Sequence, residues 1–462
     1  MEIKNYIDKL FNPKSIAIIE AASKRFWQIS GTINWRGKEN IYLVSKKEDE
    51  IYGIKCYQDI SKLPDKIDLT MISVNRNRLK ETVKTCIEKK FYIIHIFTAG
   101  GAEFDEKGEE IEHEIYELIK NSHIRAIGPN CMGVYSPEGK ITYSPPFSEK
   151  PGSVAFVSQS GDITTQFILR ENNYGVYFSK VASIGNSIDL TTSDFINYFS
   201  SDKKTEIIGV YFEGFTQFNE KEGIKLLNAL KKNKKPLLFL RGGTTIQGKR
   251  AIKSHTGTIA TDNGIWGAIF KQTSALKVDS FNELIDSTMA FNYYKNFNQK
   301  VKSLVLVGWS GGKAVLSTDQ VVQLGIDVPE ISAPTRNKME EMISIGSVSN
   351  PLDLPWIGRE DKYVEICKLA INEDYIGGVI FETGTWEKFD ERFNKYFKNL
   401  VKIFNYTKQL RKPFFVSLPY SHLYKQREEY KNKLIEIGIP VFPSILRAAK
   451  TFLNLYEFRN HT

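Results

Sequence analysis

Cysteine is scarce in this chain of 462 residues: Cys56, Cys86, Cys131 and Cys367 stand far apart. No Cys-x-x-Cys pair and no cysteine–histidine ligand spacing occurs, so neither a disulfide framework nor a metal site is expected. Histidine is also sparse, at six residues. No apolar run reaches the roughly 18–20 residues needed to cross a bilayer. The first residues, MEIKNYIDKLFNPKSIAII, carry acids and lysines where a secretory leader has an apolar core. No membrane association and a cytoplasmic location are therefore expected. Three catalytic signatures are missing as well. Without Gly-x-Ser-x-Gly there is no serine-hydrolase elbow, and without Gly-x-x-x-x-Gly-Lys-Ser/Thr there is no Walker loop. The first strand lacks the Gly-x-Gly-x-x-Gly turn of nicotinamide dehydrogenases.

What is present is ample core material. Hydrophobic residues make up 41% and aromatics 12%, and the length fits about three ordinary domains. The net charge of +9 comes from lysines spread along the chain, as in KKNKKP at 231–236. Such a balance accommodates an anionic ligand. Basic charge without a recognition motif supplies only a non-specific term, so nucleic acid is not an expected partner.

Short β-branched runs alternate with amphipathic stretches. SIAIIEA (15–21), NIYLVS (40–45), DLTMISV (68–74), YIIHIFTA (92–99) and IRAIG (124–128) read as strands; 77–90 and 108–121 read as helices. This alternation predicts a parallel sheet covered on both faces, with ligands beyond the strand carboxyl ends. After a proline-rich linker at 143–152 the pattern restarts at 153–172, with further strands at 204–215 and 234–243. It restarts again at 302–325, and strands at 377–384 and 413–419 and a last helix at 445–458 follow. The reading is an α/β chain of three consecutive domains, 1–145, 146–298 and 299–462.

Two loops share one layout, an apolar strand followed by SQSGD (158–162) or WSGGK (309–313) and then a helix. The unpaired N–H groups and positive dipole end of such a helix suit a phosphate. Ser-Gly turns also arise for steric reasons, and both accounts stand. His255, in GGTTIQGKRAIKSHTG (242–257), sits in what reads as a polar, glycine-rich loop. It is either a loop histidine bonded to backbone or a functional group. A metal ligand lacks a second ligand nearby. Nucleophilic attack on phosphorus fits best, with Glu213 in YFEGF (211–215) as the carboxylate that fixes the ring tautomer.

Ten short elements in order then carry a resemblance that spans nearly the whole chain. They include NPKSIAII (12–19), TAGGAEFDEKG (98–108), IGPNCMGVYSP (127–137), GSVAFVSQSGDI (152–163), YFEGF, GGTTIQGKRAIKSHTG, SGGKAVLSTD (310–319) and NPLDL (350–354). The chain resembles the α subunit of ADP-forming acyl-CoA synthetases, in the succinyl-CoA-synthetase-like acid–thiol ligase superfamily. The resemblance implies an N-terminal Rossmann-like CoA-binding domain followed by two flavodoxin-like domains. It implies that His255 is phosphorylated with Glu213 in support, and that Ser160, Gly161, Ser310, Gly311 and Gly312 hold phosphate. Lys47, Gly128, Pro129 and Asn130 are implied to bind coenzyme A. The implied partners are a small carboxylic acid or its acyl-CoA, phosphate, and a separate ATP-grasp β subunit carrying ADP or ATP with magnesium, giving a hetero-oligomer.

The first domain departs from the family pattern. Glu20 occupies a place where the family has glycine, and no Pro-Gly-Lys-x-Gly follows. A carboxylate there is expected to repel a pyrophosphate. Lys24, Arg25 and Lys47 are the cations expected to compensate, and Asn75 stands where the family has proline. Two other readings therefore remain: a non-catalytic or regulatory homologue with a degenerate CoA site, and a variant using an acyl acceptor other than CoA.

Overall fold

The computed structural model describes residues 1–462 except 145, 257–262, 296–299, 309, 355–360 and 462, and except the side chains of 25–28, 253–256 and 461. Two compact units result, Met1–Ser280 and Phe281–Thr462. Among the described residues they hold three sheets.

The first unit begins with helix α1 (Ile3–Phe11) and strand β1 (Ile16–Ile19). Helix α2 (Phe26–Arg36), β2 (Ile41–Val44), the hairpin β3 (Glu50–Ile51) and β4 (Ile54–Tyr57), and β5 (Leu69–Ile72) follow. Then come α3 (Arg76–Glu88), β6 (Ile93–Ile96), α4 (Glu106–Lys120) and β7 (Arg125–Ile127). The sheet order is β3-β4-β2-β1-β5-β6-β7, parallel except at the hairpin. Strands β1, β5 and β6 are buried at every position, which is why IAII, LTMI and IIHI read as unbroken apolar runs rather than alternating ones.

The second sheet of this unit uses β8 (Gly133–Tyr135), β9 (Val154–Ser158), β10 (Phe178–Ser183), β11 (Ile207–Phe212), β12 (Leu237–Arg241) and β13 (Ala275–Val278). Its order is β13-β12-β11-β9-β10-β8, with only β8 antiparallel among the described pairs. Helices α5 (Gly161–Asn172), α6 (Thr192–Ser201), α7 (Glu222–Lys232) and α9 (Asn263–Gln272) cover it, and α8 (Ile246–Thr256) lies between β12 and α9 in the chain. The two sheets share one core. Phe11 on α1 meets the rings of Phe195, Tyr198 and Phe199 on α6 at centroid distances of 5.8–6.2 Å. The proline-rich segment is no loose tether either, because Tyr143 and Phe147 are buried and their rings meet at 5.1 Å.

The second unit runs α10 (Phe281–Tyr293), β14 (Leu304–Gly308), α11 (Gly311–Gln323), α12 (Ala333–Glu340), β15 (Leu352–Asp353) and α13 (Lys362–Asn372). It continues through β16 (Gly378–Glu382), α14 (Glu391–Gln409), β17 (Phe414–Ser417), α15 (Tyr424–Glu436), β18 (Val441–Phe442) and α16 (Ile445–His461). All its strands pair in parallel, in the order β15-β14-β16-β17-β18. Arg447 on α16 grips Asp286 on α10 through two bonds of 2.6 and 2.7 Å, clasping the first and last helices of the unit.

One local expectation is overturned. The stretch read as a polar loop around His255 forms helix α8 over its backbone. Thr245 starts it, accepting the Gly248 N–H on its hydroxyl at 3.0 Å and the Lys249 N–H on its carbonyl at 2.8 Å. The segment that follows, QGKRAIK, is rich in good helix formers, and local propensity outweighs Gly248.

Candidate functional site

In each sheet one strand, β1, β9 or β14, has the next two strands that pair with it in parallel on opposite sides, and the carboxyl-end gap where the order reverses is where open α/β sheets take ligands. The three gaps lie between β1 and β5, β9 and β11, and β14 and β16. Each is furnished with charged side chains.

At the β1–β5 gap, Glu20 follows β1 with φ +58°, a left-handed conformation that explains a glycine preference at this place. Its carboxylate pairs with the guanidinium of Arg78, in the first turn of α3. A cation 58 positions away in sequence thus stands against this carboxylate. Asn75 caps α3, its side chain accepting the Asn77 N–H at 3.0 Å. Arg76 is held elsewhere, in a bidentate pair with Asp105 at 2.8 and 2.9 Å. Lys47 is exposed beyond the end of β2, with its N–H on the Ser45 hydroxyl at 3.4 Å. Lys24 is exposed, and the Arg25 side chain lies outside the described residues.

The Gly128–Pro129 peptide is cis, with Gly128 at φ +96° and Asn130 at φ +58°. This loop is spliced between the two sheets. Asn130 N–H donates to the Thr98 carbonyl at 3.0 Å, and Asn186 N–H donates to the Pro129 carbonyl at 3.0 Å. A Cβ at Gly128 would lie 2.5 Å from the Ile96 carbonyl oxygen, and one at Gly185 would lie 2.2 Å from that of Pro129. Beneath the loop, buried His95 donates through Nε2 to the Cys131 carbonyl at 3.0 Å. Burial drives its pKa down to about 4, so it is neutral and structural. Beside the loop, Asn186 Nδ2 donates to Glu112 at 2.6 Å and to Glu103 at 2.8 Å. Burial, with Glu103 adding to it, pushes the Glu112 pKa up to about 7.

At the β9–β11 gap, Gln159 is the keystone. Its carboxamide oxygen accepts the N–H groups of Glu213 at 2.6 Å and Gly214 at 3.1 Å, and its nitrogen donates to the Gly214 carbonyl at 2.9 Å. Glu213 is only 6% exposed and accepts a hydrogen bond from the Tyr211 hydroxyl. Burial and that carboxylate hold the Tyr211 phenol above its usual range. Ser160 is the N-cap of α5, accepting the Ile163 N–H at 3.4 Å. At Gly161 a Cβ would fall 2.5 Å from Cγ of Met132, so this glycine admits a protein side chain as well as leaving the helix terminus bare.

The path from Glu213 to α8 is short. Gly242 passes Glu213 so closely that a Cβ there would stand 3.5 Å from its Cγ and 3.1 Å from the Tyr211 hydroxyl. Gly243, at φ +62°, lies under Ile252 of α8, whose Cδ1 would be 2.3 Å from an added Cβ. Position 255 is one helical turn beyond Ile252; its side chain lies outside the described residues. The base of this excursion is closed by Asn263, which donates to the Thr244 carbonyl at 2.8 Å and accepts from Arg241 at 3.3 Å.

At the β14–β16 gap, Ser310 is the N-cap of α11 and Lys313 pairs with Glu382 at 3.5 Å. A Cβ at Gly311 would be 3.1 Å from Asp353 Oδ2, whereas Gly312 faces open space. Asp353 Oδ1 is buried without a hydrogen-bond partner among the described residues. Asn350 holds the adjoining NPLDL turn in place, accepting the Leu306 N–H at 3.1 Å and donating to the Leu304 carbonyl at 2.9 Å. Among the described residues no cluster of histidine, cysteine and carboxylates could hold a metal, and no helix is long and apolar enough to span a membrane.

Sequence reasoning named Glu213, Ser160 and Gly161 but missed Gln159, Tyr211, Arg78, Glu382 and Asp353. Gln159, Tyr211 and Asp353 stood inside quoted motifs. The others depend on contacts between distant segments.

Residues 16–137 match the family described as CoA binding domain, and residues 151–291 match the succinyl-CoA ligase like flavodoxin domain. The chain is 32% identical over 380 residues to a 4-hydroxybutyrate–CoA ligase [ADP-forming] of Nitrosopumilus maritimus, covering 80% of this chain and 54% of that protein. It is 29% identical over 373 residues to the acetate–CoA ligase [ADP-forming] II subunit alpha of Pyrococcus furiosus, covering 79% of this chain and 80% of that one. The chain thus spans about half of the first relative and most of the second. Its fold matches that of an acetyl-coenzyme A synthetase of Ca. Korarchaeum cryptofilum solved with phosphate and ADP, with a TM-score of 0.82 at 24% identity over 98% of this chain and 97% of that one.

Proposed function

Since this chain belongs to the succinyl-CoA-ligase-like family of ADP-forming acyl-CoA synthetases, we propose that it is the α subunit of such an enzyme and that His255 is its phosphoryl carrier. The observation that carries the reading is Glu213, a buried carboxylate fixed at the β9–β11 gap beside the Gly242–Gly243 turn from which α8 departs.

The chemistry runs in three reversible steps. Phosphate oxygen attacks the thioester carbonyl of an acyl-CoA; the C–S bond breaks, CoA leaves as its thiolate, and an acyl phosphate forms. An imidazole nitrogen of His255 attacks phosphorus, the acyl oxygen leaves as the carboxylate, and a phosphohistidine remains. The phosphoryl group then passes to ADP on an ATP-grasp partner, which supplies the magnesium. Glu213 accepts the other ring N–H and offsets the positive charge that develops on the ring. The N-termini of α5, at Ser160 and Gly161, and of α11, at Ser310, Gly311 and Gly312, hold phosphate oxygens on backbone N–H groups. Lys47 and the Gly128–Pro129–Asn130 loop bind CoA, the loop near the reacting thioester. Domains 1–145, 146–298 and 299–462 then divide the labour as CoA binding, phosphoryl carriage and phosphate clamping.

The test is direct. Incubating the chain with acetyl-CoA and radiolabelled phosphate, or with ATP and an ATP-grasp subunit, should leave acid-labile, base-stable label on the protein. His255→Asn should abolish it. Undiminished label on that variant would overturn the assignment.

A further inference from the structure

The Glu20–Arg78 pair does more than cancel a charge. It bridges the β1–β5 gap, with the carboxylate coming from the end of the first strand and the guanidinium from the first turn of α3. Anything bound across that gap meets both groups. A cleft of about 390 Å³ opens nearby at the ends of β5 and β6, lined by Ser73, Asn75, Arg76, Thr98 and Phe104. The two neighbouring arginines are not equivalent. Arg76 is committed to Asp105, to the Gly100 carbonyl at 3.1 Å and to the Phe104 ring. The Arg78 guanidinium has Glu20 as its one partner among the described residues. The pair is also accessible, with side-chain exposures of 49% for Arg78 and 35% for Glu20. Ion pairs this exposed contribute little to stability, so exchanging the partner costs little.

We propose that Glu20 and Arg78 form an exchangeable latch: Arg78 is the phosphate-recognising residue of the first domain, and Glu20 is its built-in competitor. The ligand class is a nucleotide bearing phosphate esters, which on the reading above is the 3′-phospho-ADP end of CoA. A multiply charged phosphate displaces the single carboxylate from the guanidinium, whose flat fork suits either anion. Glu20 then lies near the bound phosphates and weakens their binding, so the enzyme holds CoA loosely and releases it readily. Glycine at position 20 would remove the competitor, and Arg78 would be permanently available.

The test is titration calorimetry of the full chain with two probes, CoA and 3′,5′-ADP, for the native protein, Glu20→Gln, Arg78→Gln and the double variant. Because both residues are exposed, each variant should fold, which thermal melting checks. Arg78→Gln should weaken both probes by at least about tenfold. Glu20→Gln should tighten both by several-fold, and the double variant should resemble Arg78→Gln, since Glu20 acts only through the residue it competes for. If CoA binds but neither variant shifts Kd by more than twofold, the latch falls while the CoA assignment survives. If CoA shifts and 3′,5′-ADP does not, the effect works through the pantetheine arm and the phosphate role is overturned. If neither probe binds any of the four proteins, the latch and the CoA reading fall together.

Discussion

Gln159 accepts the backbone N–H of Glu213 at 2.6 Å, tying two strand ends 54 residues apart in sequence. The carboxylate is thus oriented through its own main chain. Gln159→Ala leaves the N–H groups of Glu213 and Gly214 without this acceptor in a buried setting, which should cost about 1–3 kcal/mol in urea unfolding. Label on His255 should fall together with stability, because the carboxylate loses its mooring.

Glu213→Gln separates chemistry from support. The amide keeps an oxygen for the Tyr211 hydroxyl but loses the negative charge. The rate of phosphohistidine formation should drop by at least about tenfold. The melting temperature should change little, since a charge is removed from a buried position. A variant that labels at the native rate would remove Glu213 from the mechanism.

Gly242→Ala and Gly243→Ala should differ sharply although they are neighbours. The first adds a Cβ at 3.1 Å from the Tyr211 hydroxyl, a tight contact that a small shift relieves. The second combines φ +62° with a 2.3 Å overlap on Ile252. It should cost more than about 1 kcal/mol and disturb α8. Urea unfolding ranks the two, and label on His255 shows whether α8 is displaced.

Glu112 makes the first unit sensitive to pH. Its pKa in the fold is raised to about 7 from the ordinary value of 4.5, chiefly by burial. The fold therefore favours the protonated form. Its stability is highest below pH 4.5 as far as this group is concerned, and falls as pH rises toward 7. Glu112→Gln, which stays neutral, should gain on the order of 1–3 kcal/mol over the native chain at pH 8 and almost nothing at pH 4. Melting curves of both proteins at the two pH values measure the difference.

Legibility tracked how far apart the interacting residues lie. IAII and LTMI declare themselves because parallel strands buried on both faces need unbroken apolar runs. Strand β10 escaped notice because Ser179 and Lys180 interrupt its apolar face. In the fold both are buried, Lys180 on Asp202 at 2.6 Å and Ser179 on Thr205 at 2.8 Å. Helix α8 was hidden by glycines and polar residues whose helical preference outweighed their appearance as a loop. The Glu20 charge looked isolated because Arg78 belongs to another βα unit. Motifs marked where chemistry gathers; which side chain answers which required three-dimensional neighbours.

The bond between Asn263 and the Thr244 carbonyl has a consequence for how the molecule is assembled. Strands β12 and β13 are paired on one side of that clasp, and α8 hangs on the other. The sheet therefore receives the same two chain ends in the same places whatever happens between them. Of the described side chains from 246 to 252, only Ile252 is buried, so this part of α8 contributes little to the core. On the proposed function, phosphoryl carriage is thereby separated from folding over residues 246–252, and substitutions at the exposed positions there leave the register of the sheet in place.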